Sequence, residues 1–388
     1  MCRACRRPIA ARRAEARPRG PRSRGRCSVR TRAPLAGVAS VPYLRLGASA
    51  VSIIRPKRSD PFVREVIRSW RSLTGGRARS DADRPTLVAC SGGADSTALA
   101  LALAATSAQI DVAYIRHDMR DAAEVERDEA HVRAVAKALD RPFHVGEARS
   151  GPGNQEASLR RGRYNSLGRI AEANGCAFVA TGHHADDQVE TILMRLARGA
   201  GPLGLRGVLP IRPLSALVAV VRPMLGVRHH DAIALCDRSG VSWLEDPTNA
   251  DADRRRSDLR LNVLPSLFRV FPDAPGAIAA SARAQADAAR VVADIAASLG
   301  ELAEETEDGY RWPREVLAEV RPIVLGELAR ALVPMPLRGR RYRDFEALAE
   351  ALAADRSRDR VVNAGGLRWR VSARSVWATP IDRTARPG

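Results

Sequence analysis

Lysine is almost missing from this chain: of its 63 Lys and Arg residues, all but Lys57 and Lys137 are arginine. Aromatic residues are also few, at 4%, while abundant alanine favours helices. No run of about 18 apolar residues occurs, which excludes a helical membrane span. The six cysteines have no regular spacing, so no disulfide framework is expected. Cys2-Arg3-Ala4-Cys5 is a lone pair, where a structural metal site takes about four ligands. Acidic residues are scarce only at the start. Residues 1–84 carry 22 basic residues against five acidic ones, and the remaining 304 carry 41 against 39. The net charge of +19 therefore belongs to the first segment, and the charge of the body does not by itself point to nucleic acid.

Residues 1–58 are expected to form a disordered, Arg-rich extension, since turn formers abound there and no hydrophobic period appears. Three readings compete for it: an upstream mis-assigned start, an RNA-attracting arm, or an organelle transit peptide. The ordered chain is expected to begin near Ser59-Asp60-Pro61, where Asp60 suits a helix cap and Pro61 the first helical position. Phe62, Val63, Val66, Ile67, Trp70 and Leu73 then recur at helical spacing.

Thr86-Leu87-Val88-Ala89-Cys90 reads as a buried strand and Thr97–Ala105 as an apolar helix, with Ser91-Gly92-Gly93-Ala94-Asp95-Ser96 between them. A strand that turns through two glycines into a helix N-terminus builds an anion site, because the backbone approaches oxygen atoms closely and the helix dipole favours negative charge. Ser91 and Ser96 add hydroxyl donors, and Asp95 offers a hard carboxylate for Mg²⁺. No lysine follows the glycines, so this is not the Gly-x4-Gly-Lys-Ser/Thr loop. It is similar to the PP-loop, Ser-Gly-Gly-x-Asp-Ser, of enzymes that cleave ATP between the α- and β-phosphates. The plainer alternative is a Gly-Gly turn capped by Asp and Ser.

Strands and helices alternate after this loop: strands at Ile110–Ile115, Pro142–Val145 and Ala177–Thr181, helices at Ala122–Leu139, Gln155–Asn174 and Ala185–Ala197. The fold class expected is α/β, a doubly wound parallel sheet with ligands at the strand C-terminal ends. Past the glycine-rich loop at residues 199–207, a strand at Leu217–Val221 and a helix at His229–Ser239 follow. From Arg260 the chain reads as Ala-rich helices to about Leu352, and Val361–Val376 as a hairpin around Gly365-Gly366. The expected domains are 59–255 for nucleotide chemistry and 256–388 as a smaller, mainly helical domain ending in the hairpin.

Other polar clusters fall at strand ends. Arg116-His117-Asp118-Met119-Arg120 follows the second strand, and His117 and Arg120 suit either nucleotide phosphate or plain surface. Glu156, Arg160 and Arg163-Tyr164 share one side of a helix, as a functional face or a solvated ion pair. Thr181-Gly182-His183-His184-Ala185-Asp186-Asp187-Gln188-Val189-Glu190-Thr191 places His184, Asp187 and Glu190 at i, i+3, i+6. Such a set is a metal site, or a holder of a substrate ammonium or Mg²⁺.

Together these segments resemble the tRNA(Ile)-lysidine synthetases, PP-loop enzymes of the adenine nucleotide α-hydrolase-like type. The likeness runs over roughly residues 80–265. It rests on the PP-loop, His-x-x-Arg, Asn-x-Glu-Ala-x-x-Arg-x-x-Arg-Tyr and Thr-Gly-His-His-x-Asp-Asp-Gln-x-Glu-Thr. It continues through Arg195-Leu196-Ala197-Arg198-Gly199, Arg222-Pro223-Met224-Leu225, Glu245-Asp246-Pro247-Thr248-Asn249 and Arg256–Pro265. Ser257 stands where Asn is usual, and Asp258 is acidic where a basic residue is common, which bears on local RNA contacts rather than on the fold.

The resemblance implies that ATP adenylates C2 of the wobble cytidine in a CAU-anticodon isoleucine tRNA, and that free L-lysine then displaces AMP to give lysidine. ATP and Mg²⁺ are the implied cofactors. Ser91–Ser96, His117 and Arg120 would hold the nucleotide, with Asp95 on the metal. Asp95, Asp187, Glu190, Arg160 and Arg163 would be catalytic, and His184, Asp187, Glu190, Arg195, Arg198, Arg222, Asn249 and Arg260 would meet substrates. A bacterial cytoplasmic setting is expected, or a plastid stroma if the arm is a transit peptide; a homodimer stays open. Two rivals remain. One is a PP-loop tRNA thiolase, which would need reactive or iron-binding cysteines where Cys90, Cys176 and Cys236 stand isolated. The other is a non-catalytic RNA-binding protein on a relic nucleotide fold.

Overall fold

The computed structural model describes residues 53–118, 121–149, 155–244, 254–333 and 342–381. Helix α1 (Pro61–Leu73) begins as expected, with the Asp60 carboxylate accepting from the Phe62 and Val63 N–H groups at 2.9 and 3.3 Å. Its apolar face, Phe62, Val63, Val66, Ile67 and Trp70, is buried. Residues 53–58, expected to belong to the arm, are instead held on the body. Ile53 packs against the core, the Ile54 N–H donates to Ser239 O at 3.0 Å, and Arg55 and Arg58 donate to the carbonyls of Ala138 and Ala105.

Strand β1 (Thr86–Ala89) is buried throughout and leads through Ser91–Ser96 into α2 (Ala94–Ala104). There follow β2 (Ile110–His117), α3 (Ala122–Ala138), β3 (Phe143–Ala148), α4 (Gln155–Ala173), β4 (Phe178–Thr181) and α5 (Ala185–Leu196). The chain continues through α6 (Pro202–Leu205), β5 (Ile211–Pro213), β6 (Ala219–Val221) and α7 (His229–Arg238). The sheet order is β3-β2-β1-β4-β6-β5, parallel except for the β5 edge. Side chains alternate across a strand. Val88 therefore joins α1, α2 and α7 on one face, while Leu87 and Ala89 join Leu167 and Ala171 of α4 on the other. Helix α2 is apolar all round because α1 and α7 cover the side turned from the sheet. The doubly wound reading holds; β5 was not foreseen, being three residues long and half-exposed.

Beyond α8 (Arg254–Asp258), a π-helical turn at Leu259–Val263 and α9 (Leu264–Val270), the 28-residue α10 (Ala274–Glu301) packs on α5, α6 and α12 (Pro322–Leu332). The C-terminal part is less helical than expected. Strands β7 (Glu304–Thr306), β8 (Gly309–Pro313), β9 (Arg360–Ala364), β10 (Leu367–Val371) and β11 (Ser375–Pro380) form a five-stranded antiparallel sheet in the order β7-β8-β11-β10-β9. The hairpin at Gly365-Gly366 is β9–β10. Helices α11 (Arg314–Leu317) and α13 (Tyr342–Ala353) complete the unit. Trp312 and Trp369, with ring centroids 6.0 Å apart, centre its core with Leu325, Leu328, Phe345 and Leu348. Several arginines are structural: Arg84 is buried on the carbonyls of Gly76, Arg79 and Ser80, and Arg314 on those of Leu352, Ala354 and Ser372.

Candidate active site

The C-terminal ends of β1, β2 and β4 open into a pocket of about 440 Å³. Its walls bring together Ser91, Gly93, Asp95 and Ser96 from the loop, His117 from β2, Arg163 from α4, and Thr181, Gly182, His183 and Asp187 from β4 and α5. Larger cavities lie beside α4 (670 Å³) and α1 (930 Å³), away from this loop.

Local geometry explains the loop. Gly92 has φ +88°, and a Cβ there would stand 2.6 Å from Leu244 Cδ1, so a side chain is barred both by conformation and by space. The Leu244 N–H donates to Gly92 O at 2.9 Å, clamping the turn. Ser96 Oγ accepts from the Ser91 N–H at 3.1 Å and donates to Gly93 O at 3.0 Å, so the two serines brace the loop. Gly93 brings no side-chain cap to α2, which leaves first-turn N–H groups for an anion. Gly182 lets β4 reach this turn: a Cβ would lie 3.1 Å from the Asp95 carbonyl carbon and Ser96 N.

Asp95 points to the mouth, its Oδ1 2.9 Å from His229 Nδ1 and its Oδ2 3.6 Å from His184 Nε2. The carboxylate itself fits Mg²⁺, but its imidazole neighbours do not, since that ion takes oxygen donors. His184 is buried among carboxylates. Burial works against its charge, but the Asp186 carboxylate 3.4 Å from its Nδ1 and the charges of Asp187 and Asp95 prevail and raise its pKa to about 9. In His183 the balance reverses. Desolvation leads, Asp187 opposes it, and the Arg222, Arg160 and Arg163 charges add, lowering the pKa to about 3. Its Nδ1 lies 2.9 Å from Thr181 Oγ1. Asp187 stays ionised: desolvation opposes its charge, but the charge of His184, the His184 N–H at 2.9 Å and Arg260 outweigh it.

The remaining sequence-derived candidates separate. Glu190 is fully buried under Arg260, which holds it bidentately at 2.7 and 3.1 Å and approaches Asp187 at 3.6 Å. Arg195 donates to the carbonyls of Gly204 and Gly207 at 2.7 and 2.9 Å, so it holds the glycine-rich loop. Arg222 is buried, donating to Leu209 O at 2.5 Å and to the Tyr164 hydroxyl at 3.5 Å. Arg160 is exposed, its guanidinium 5.7 Å from the Tyr164 ring centroid, and Arg198 is exposed after α5. Ala94 is the first residue of α2. Arg120 and Asn249 lie outside the described residues, as does the Glu156 side chain.

Two residues here lay outside the sequence-derived set, Asp128 in the pocket wall and His229 beside Asp95 at the mouth, while Arg256, which opens the Arg256–Pro265 motif, also lines the pocket. Asp128 had a signal. It interrupts the stripe Val125, Val132, Val135 of α3 and is buried with it, and an acid on a buried face calls for a reason. Among the described residues Cys90, Cys176 and Cys236 are buried, and desolvation raises their thiols, Cys176 and Cys236 to about 12.

A PP-loop domain family model matches residues 66–267. The tRNA(Ile)-lysidine synthase of Salinispora arenicola is 36% identical over 315 residues, which span 77% of this chain and 91% of that protein. The tRNA(Ile)-lysidine synthase of Bordetella pertussis is 34% identical over 230 residues, 57% of this chain and 71% of the relative. Among solved structures, the U34-tRNA thiolase NcsA of Methanococcus maripaludis with its 4Fe-4S cluster has a TM-score of 0.46 at 16% identity, covering 57% of this chain and 78% of that one.

Proposed function

Since the chain belongs to the tRNA(Ile)-lysidine synthase family of PP-loop ligases, we propose that it joins free lysine to C2 of the wobble cytidine of a CAU-anticodon isoleucine tRNA. The observation that carries this reading is that the anion loop Ser91–Ser96 shares one pocket with Arg163 and with the ionised Asp187.

The cytidine O2 attacks the α-phosphorus of ATP and pyrophosphate leaves, gathered by the loop amides and the α2 N-terminus. Arg163 offsets charge on the transferring group. A divalent cation, when bound, would neutralise phosphate charge, and Asp95 is the residue to hold it. In the second step the lysine ε-nitrogen attacks C2 and AMP leaves. That amine has an ordinary pKa of about 10.4 and must first give up a proton to solvent water. Asp187, held ionised, suits the task of binding the ammonium better than that of a strong base. We assign residues 59–255 to this chemistry and 256–388 to tRNA. Cys90, Cys176 and Cys236, buried and with raised thiol pKa values, disfavour a thiolate mechanism at these three positions.

The test is incubation with tRNA, ATP and labelled lysine, followed by digestion to nucleosides and mass analysis. A cytidine carrying lysine is expected. A sulfur-bearing nucleoside, or no incorporated lysine, would overturn the reading.

A further inference from the structure

Asp95, His184 and His229 reach one point from three elements: the first turn of α2, the residue before α5 and the first residue of α7. One donor atom of each lies within 4.8 Å of the other two. His229 Nδ1 lies 2.9 Å from Asp95 Oδ1 and His184 Nε2 lies 3.6 Å from Asp95 Oδ2, values that bracket the spacing of donors sharing one metal. With bonds of about 2.0–2.2 Å, adjacent donors sit about 3.0–3.5 Å apart.

The surroundings are built in the same sense. His184 Nδ1 faces Asp186 Oδ2 at 3.4 Å, and Asp186 is held by Arg228 Nε at 2.8 Å and by the His229 N–H at 2.9 Å. A carboxylate fixed on the far nitrogen of an imidazole is how ligating histidines are oriented. Three helix N-termini converge here and would repel a cation; Asp95 and Asp187, within 3.6 Å of His184, oppose that field. Two imidazoles and one carboxylate are poor company for Mg²⁺ and good company for zinc, nickel or cobalt. His229 is half-exposed, so an ion has a path in.

We propose that Asp95, His184 and His229 form a three-ligand site for a divalent transition metal of the zinc class, with its open positions facing the anion loop. The inference stands on the protein donors alone and does not depend on the reaction proposed above.

The test is Co²⁺ titration of the metal-stripped full chain, without tRNA or ATP, read by visible absorption, with equilibrium dialysis of Zn²⁺ alongside. A d–d band is expected that excess Mg²⁺ does not abolish. His229→Ala should weaken binding by more than about 100-fold, beyond the roughly 10–100-fold an outer partner carries, and Asp186→Asn should fall within that range. His230→Ala, whose imidazole faces Asp231, should bind like the parent, and melting curves identify any variant that has lost its fold. Absence of a band, equal affinity in a folded His229→Ala, or a thiolate charge-transfer spectrum indifferent to His229 (the mark of Cys2 and Cys5) would overturn the proposal.

Discussion

Arg260 grips Glu190 through two nitrogens, at 2.7 and 3.1 Å, across 70 residues of sequence. The pair ties α5 to the segment after α8, and it covers a carboxylate that the sequence offers for a substrate ammonium. Asp187, 3.6 Å from the same guanidinium, lines the pocket instead.

Glu190→Gln is therefore expected to act on stability before it acts on substrate. Removing one partner of a fully buried ion pair costs about 3–5 kcal/mol; Arg260 is half-exposed, so about 1–3 kcal/mol is expected after allowing for screening. Urea unfolding of Glu190→Gln, Arg260→Leu and the double variant measures the coupling. A stability unchanged in Glu190→Gln, together with a raised lysine KM, would return Glu190 to the substrate site.

Asp187→Asn should raise the lysine KM by about 10–100-fold, the worth of one charge-assisted hydrogen bond, while AMP formation without lysine changes little. Asparagine can still accept the His184 N–H, so the α5 cap survives. Steady-state kinetics over lysine concentration decides it; an equal loss in both half-reactions would place Asp187 at the nucleotide.

Asp95→Asn keeps the shape but removes the carboxylate charge facing His229 and His184. A fall of about 100-fold or more in tRNA-dependent ATP–pyrophosphate exchange is expected, with little change in Tm. Near-normal exchange would show that Asp95 is not needed for adenylation.

Cys176 carries a pH signature. Burial raises its folded pKa to about 12, above the ordinary thiol value of 9.0. The thiol's contribution to stability is full below the unfolded pKa. It is lost as pH rises from there through the folded pKa, on the order of 1 kcal/mol per pH unit. Urea unfolding at pH 8 and pH 10 should show a steeper loss for the parent than for Cys176→Ala, and native Cys176 should resist iodoacetamide at pH 8. Rapid labelling would contradict the buried thiol.

Truncation before Ile53 should leave kcat, tRNA affinity and the salt slope of binding unchanged, since residues 1–52 have no counterpart in the family motifs. Truncation before Ser59 should cost about 1–2 kcal/mol, because it removes a packed isoleucine and backbone hydrogen bonds to the body. A flatter salt dependence in the shorter deletion would instead make the arm an RNA contact, at about 0.7–0.9 of slope per phosphate lost.

What the sequence determined by itself was local. A strand, two glycines and a helix in register make the anion loop, because turn conformation and helix dipole are properties of adjacent residues. The alternation of buried strands with helices likewise implies a doubly wound sheet. Tertiary structure decided which polar residues meet. His229 comes to Asp95 across 134 residues and Arg260 to Glu190 across 70, and no spacing rule spans such distances. Arg195 and Arg222 read as substrate cations, yet each is drawn to backbone carbonyls by its fold neighbours. Beyond its β9–β10 hairpin, the second sheet stayed hidden for the same reason. Strand β7 is three residues long and exposed, β8 buries only Trp312 fully, and β8 has its meaning only once β11, more than 60 residues on, supplies the partner for its backbone groups.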